Sequence, residues 1–71
     1  MDEAEKLIKK IGENIVRLRK ERNLTQVELA AKLDIEDSAL RRIEKGRTNP
    51  TVKTLFAISR ILKIEIQEMI E

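Results

Sequence analysis

The chain has no cysteine and no histidine in its 71 residues. Without cysteine there is no thiol nucleophile and no disulfide framework. Without either residue there is no zinc finger, and the commonest acid–base side chain is gone. Tryptophan and tyrosine are missing as well, and Phe56 is the only aromatic. That argues against holding single-stranded nucleic acid on stacked bases. The hydroxyls, Ser38, Ser59 and four threonines, have no histidine to activate them, and the two glycines form no phosphate-cradling loop. No enzymatic activity, cofactor or metal is expected. There is no secretion signal and no apolar run near twenty residues, so the chain reads as cytoplasmic, with no membrane partner.

What the chain does have is charge, unevenly spread. The formal net charge is only +2, yet residues 17–63 carry 12 Lys/Arg against 6 Asp/Glu. Residues 1–16 sum to −1 and residues 64–71 to −3. A basic middle between acidic ends suits an anionic partner touched by the middle alone, although a solvated helical surface gives the same pattern. The length fits one domain, residues 1–71, small enough that dimerisation would be a source of extra stability.

Apolar residues at Leu7, Ile8, Ile11, Ile15 and Leu18 step by three and four, the mark of one helical face. With Asp2 and Glu5 as an acidic start, the pattern predicts a helix from about Glu3 to Arg22, ended by Asn23. Gly12 inside it either permits close approach of another helix or marks a local break. Thr25 and Glu28 have capping-box spacing, and the helix behind them turns Leu29, Ala30 and Leu33 inward. Asp34 falls where the chain must reverse. A third helix runs from about Asp37 to Lys45 with Leu40 and Ile43 buried, stopped by Gly46. Asn49-Pro50-Thr51 opens a fourth, carried by Val52, Leu55, Phe56, Ile58, Ser59 and Leu62 to about Lys63. Ile64, Ile66, Met69 and Ile70 form a short C-terminal turn. The expected architecture is all-α, a compact arrangement of five helices.

Residues 25–46 spell two short helices joined by a tight turn, the second rich in charge at its end. In order and spacing, Ile-Gly-Glu-Asn-Ile from Ile11, Leu-Arg-Lys-Glu-Arg from Leu18, Leu-Thr-Gln from Leu24, Glu-Leu-Ala from Glu28, Arg-Ile-Glu-Lys-Gly from Arg42 and Asn-Pro-Thr from Asn49 resemble the lambda-repressor-like (Cro/cI-type, XRE) helix-turn-helix family. The resemblance covers Ile11 to about Met69. It implies a sequence-specific regulator that binds double-stranded DNA as a homodimer, one helix in the major groove. It implies base reading by Asp37, Ser38, Arg41 and Arg42. Phosphate contact falls to Gln26, where a helix N-terminus is itself an anion site, and to Arg47, Thr48 and Asn49. It also implies a partly buried ion pair between Arg19 and Glu44. Of the base readers, Arg41 and Arg42 suit guanine, whose O6/N7 edge matches a planar guanidinium.

Three positions depart from the family pattern. Glu36 and Asp37 stand where neutral or basic residues are usual, and Asp34 replaces a common turn glycine. Carboxylates suit a helix N-terminus, so capping is one reading of Glu36 and Asp37. Beside phosphates they are repelled, and Asp37 helps only by accepting from cytosine N4. The apolar residues Ile66, Met69 and Ile70 are expected to form the dimer seam, with Ile64 closing the monomer core. Two other roles fit the same domain: an antitoxin or restriction-modification controller, and a protein-interaction module with decayed DNA binding. No small-molecule ligand is expected.

Overall fold

Three of the five helices start where a side chain takes up a loose backbone amide, and four end at or just before a residue in the left-handed conformation. The computed structural model describes residues Met1–Glu71 as five α-helices and no strand. The first, α1, spans Glu3–Glu21; Asp2 caps it by accepting from the Glu5 amide at 2.7 Å. It runs unbroken through Gly12 and is followed by Asn23 at φ 57°. The second, α2, spans Gln26–Leu33 behind a complete capping box. Thr25 Oγ1 accepts from the Glu28 amide at 3.0 Å, and the Glu28 carboxylate accepts from the Thr25 amide at 2.8 Å. Asp34 ends α2 at φ 58°, a left-handed position that Asp tolerates better than most side chains.

The third helix, α3, spans Asp37–Glu44, and α4 spans Val52–Leu62 with Thr51 accepting from the Thr54 amide. The α4 helix ends at Lys63 in a left-handed conformation, φ 58°. This stop has no sequence signal, because Lys carries no local preference for it. The last helix, α5, is the single turn Gln67–Ile70.

The core takes side chains from every helix. Ile15, Leu29, Leu40, Ile58, Leu62 and Met69 are its fully buried large members. Burying each such side chain stabilises by about 1.5–3 kcal/mol. The α1 helix packs against α3 and α5, while α2 packs against α3 and α4. The apolar stripe of α1 is narrower than its sequence implies, since Leu7 remains on the surface. On α4, Val52 and Phe56 also point outward, and Arg60 lies 5.9 Å over the Phe56 ring.

Met69 requires a correction to the expected dimer seam. It is completely buried inside the monomer, where α5 folds onto α1, and the Asn14 Nδ2 donates to its carbonyl at 2.8 Å. A side chain already enclosed by its own core has no surface left for a partner. Ile66 is half-buried against the same core, and Ile70 is exposed. No helix is long and apolar enough to cross a membrane.

Candidate nucleic-acid interface

The α3 helix has two unlike faces. Leu40, Ile43 and Glu44 are buried, whereas Asp37, Ser38, Arg41 and Arg42 are all exposed. Those four occupy positions i, i+1, i+4 and i+5, so they share one side of the helix. Past its end, Lys45, Arg47, Thr48 and Asn49 are exposed too. The loop is tied back by bonds from the Gly46 amide to the Ile43 carbonyl and from the Arg47 amide to the Arg42 carbonyl.

Both glycines seat this helix. A Cβ on Gly12 would lie 2.5 Å from the Glu44 carbonyl oxygen and 2.6 Å from that of Ile43. Gly12 is therefore a close-approach site where α1 meets the end of α3, and not a break. Gly46, at φ 70°, would place a Cβ 2.8 Å from the Lys9 Cα. Only glycine combines that left-handed turn with that contact.

A second tie is polar. Arg19 Nε donates to Glu44 Oε2 at 2.8 Å, and Arg19 Nη2 donates to Glu44 Oε1 at 3.1 Å, a bidentate pair with both residues at most 7% exposed. Arg19 Nη1 also donates to the Leu24 carbonyl at 3.0 Å. Gln26 Nε2 donates to Glu44 Oε1 at 2.8 Å. One carboxylate thus joins α1, the start of α2 and the end of α3. No buried side-chain nitrogen or oxygen is left without a partner.

At the start of α2, Gln26 and Val27 have no carbonyl four residues back within the helix, so their amides point outward unpaired. Just beside them, the Glu28 carboxyl is held below its ordinary pKa, first by the hydrogen bond from the Thr25 backbone and then by the Thr25 side chain. At the start of α3 the capping reading of Glu36 is not realised: it occupies the cap position, but its side chain makes no hydrogen bond there. Its carboxylate and that of Asp37 stand exposed at the front of α3, while the cations gather at its end.

Two tethers carry no sequence signal. Arg22 Nε donates to the Leu62 carbonyl at 2.6 Å, and Asn14 holds α5 through the Met69 carbonyl. Asn14 on α1 and Arg22 just past its end both look like surface residues, and only the three-dimensional path brings their acceptors close.

Comparison with known proteins places this geometry. Residues 15–69 match the helix-turn-helix family HTH_3. The chain belongs to this helix-turn-helix family. It is 42% identical over 60 residues to an immunity repressor protein of Bacillus phage phi105, covering 84% of this chain but only 42% of the repressor. It is 39% identical over 62 residues to the HTH-type transcriptional regulator y4dJ of Sinorhizobium fredii, covering 87% of this chain and 80% of that one. Among solved structures, the restriction-modification controller C.AhdI of Aeromonas hydrophila superposes with a TM-score of 0.83 at 26% identity. That match covers 87% of this chain and 94% of the controller. The biofilm master regulator SinR, solved in complex with DNA, superposes with a TM-score of 0.79 at 32% identity, covering 86% and 98%. This helix-turn-helix chain thus has the five-helix fold of transcriptional regulators.

Proposed function

We propose that the chain is a transcriptional regulator that binds duplex DNA sequence-specifically as a homodimer, with α3 in the major groove. The observation that carries this reading is the exposed quartet Asp37, Ser38, Arg41 and Arg42. They project from one side of a helix whose other side is locked into the core by Leu40, Ile43 and the Glu44 ion pair. A rigid helix with a polar, arginine-bearing outer face is what reading base edges demands. The SinR structure, solved in complex with DNA, supports DNA as the partner.

In this reading the start of α2 holds one phosphate. The Gln26 amide group has two donor hydrogens; one goes to Glu44, and the other, with the backbone amides of the first turn, faces the phosphate. Arg47, Thr48 and Asn49 hold the backbone beyond α3. Asp37 favours a base that offers an exocyclic amino donor, cytosine N4 above all, since a carboxylate can only accept.

Selecting bound sequences from a random duplex library, followed by binding titrations at two salt concentrations, tests the proposal. A recovered palindrome, with affinity falling steeply as salt rises, is expected. Failure to enrich any sequence would reject sequence-specific binding. The controller role is a second reading, favoured by the 94% of the controller's chain that this one covers.

A further inference from the structure

Gly46 sits between two cationic residues in sequence and against a third in space. Lys45 and Arg47 flank it, and it packs on the Lys9 backbone of α1 so closely that a Cβ would lie 2.8 Å from the Lys9 Cα. Lys9, Lys45 and Arg47 line one open cleft of about 440 Å³ together with Thr48. All three cations are exposed, and none takes part in an ion pair. Glu5, one turn before Lys9, is the only carboxylate on the cleft wall. Lys9 lies outside the residues matched to the family, which begin at Ile15.

From this convergence we propose that the cleft is a phosphate clamp in which Lys9 of α1 grips a phosphodiester of the duplex held by α3. The inference rests on the DNA-binding reading and extends its footprint to the first helix. Three unneutralised cations gathered around one glycine repel one another, and a polyanion laid across them relieves that repulsion. The loop carrying Arg47 and Thr48 follows α3 directly, so a sugar-phosphate backbone bound there runs past the α1 turn that bears Lys9. The tight Gly46–Lys9 contact fixes the α1 cation relative to the loop cations. Lysine suits such a site, because it binds phosphate as a point charge with no demand for planar geometry. Glu5, on the cleft wall, opposes the phosphate.

The test is fluorescence anisotropy of the full chain with a labelled random-sequence duplex across a salt series. It compares wild type with Lys9→Ala, Lys9→Arg, Glu5→Gln and Arg47→Ala. The Cβ of Lys9 survives in Lys9→Ala, so the Gly46 contact is kept, and circular dichroism checks the fold. Each phosphate contact contributes about 0.9 to the slope of log affinity against log salt. Lys9→Ala is therefore expected to flatten the slope by about one. Between 50 and 200 mM salt that variant would lose about three- to four-fold less affinity than wild type. Lys9→Arg should keep the wild-type slope, and Glu5→Gln should bind more tightly at low salt. If Arg47→Ala flattens the slope while Lys9→Ala leaves it unchanged, the clamp is overturned and DNA binding stands. If the wild type shows no salt-dependent duplex binding, the DNA-binding reading fails and the clamp with it.

Discussion

Gln26, at the start of α2, and Glu44, at the end of α3, are joined by a 2.8 Å hydrogen bond through the carboxylate that also binds Arg19. In the proposed reading, a phosphate at the start of α2 is thereby linked to the position of α3 through a single side chain. Because Arg19 and Glu44 are buried, removing one partner strands a charge in a desolvated place. Such a loss typically costs about 3–5 kcal/mol, whereas replacing both by apolar residues can be near neutral. Urea melts of Arg19→Met, Glu44→Leu and the double variant are expected to show two large losses and a smaller combined one. Single variants within about 0.5 kcal/mol of wild type, the range of ordinary surface changes, would contradict this.

The close contact at Gly12 leads to a result opposite to helix propensity. Alanine is better than glycine inside a helix by about 1 kcal/mol. Here, however, its Cβ would meet two backbone oxygens of α3 at 2.5 and 2.6 Å. Backbone cannot swing aside as a flexible side chain can, and overpacking of this kind costs about 1–3 kcal/mol. Gly12→Ala is expected to lower the melting temperature and, by pushing α3 outward, to weaken DNA binding. An Ala variant more stable than wild type would show that the two helices stand further apart.

Most of the helices could be read from the sequence because their signals are local. The Thr25–Glu28 box, the left-handed Asn23 and Asp34, and the apolar steps of α1 each lie within a few residues of one another. The Gln26–Glu44 bond, the Arg22–Leu62 tether and the Asn14–Met69 bond that accompanies the enclosure of Met69 join residues 18, 40 and 55 positions apart in the chain. No periodicity reports such pairs. Met69 illustrates the limit: an apolar residue near a chain end has the same sequence signature whether it seals the core or meets a partner. Burial alone distinguishes these, and it depends on how α5 folds back onto α1.

The proposed interface divides into base readers on α3 and backbone holders in the loop beyond it. Arg41→Ala and Arg42→Ala are expected to cost about 1–3 kcal/mol on the selected site and to flatten discrimination at one base pair each. Arg47→Ala should weaken all sequences about equally and lower the salt slope by about one. Equal losses on selected and random duplexes for both Arg41→Ala and Arg42→Ala would reassign these arginines to the backbone.

The capping box predicts a pH effect of defined sign. The Glu28 carboxyl titrates below its ordinary range, chiefly through the Thr25 backbone donor and next through the Thr25 side chain. A carboxyl whose folded pKa is depressed adds stability above its unfolded pKa, and that contribution disappears as pH falls through the folded value. The start of α2 should therefore loosen only in acid. NMR titration of the Glu28 carboxyl is expected to give a low midpoint. Thr25→Val should return it part-way to normal, because the backbone donor remains. An unchanged midpoint in Thr25→Val would rule out the side-chain contribution.

With Met69 enclosed, the proposed dimer seam narrows to Ile70, 40% exposed, with half-buried Ile66 beside it. The cleft next to this segment is lined by Arg60, Lys63, Glu65 and Glu68, charges of both signs. Across a two-fold axis a contact from one residue to another is matched by its reciprocal, so a surface of mixed charge can complement itself where a uniformly acidic one would repel itself. The remaining apolar exposure on α4, Val52 and Phe56, is the competing surface. Pairing through the C-terminal segment should place the two α3 helices about 34 Å apart, one turn of duplex, and so read a palindrome. Sedimentation equilibrium at micromolar concentration is expected to show a dimeric wild type, a monomeric Ile70→Lys and a still dimeric Phe56→Lys. A dimeric Ile70→Lys alongside a monomeric Phe56→Lys would move the seam to α4, and a monomeric wild type would remove it.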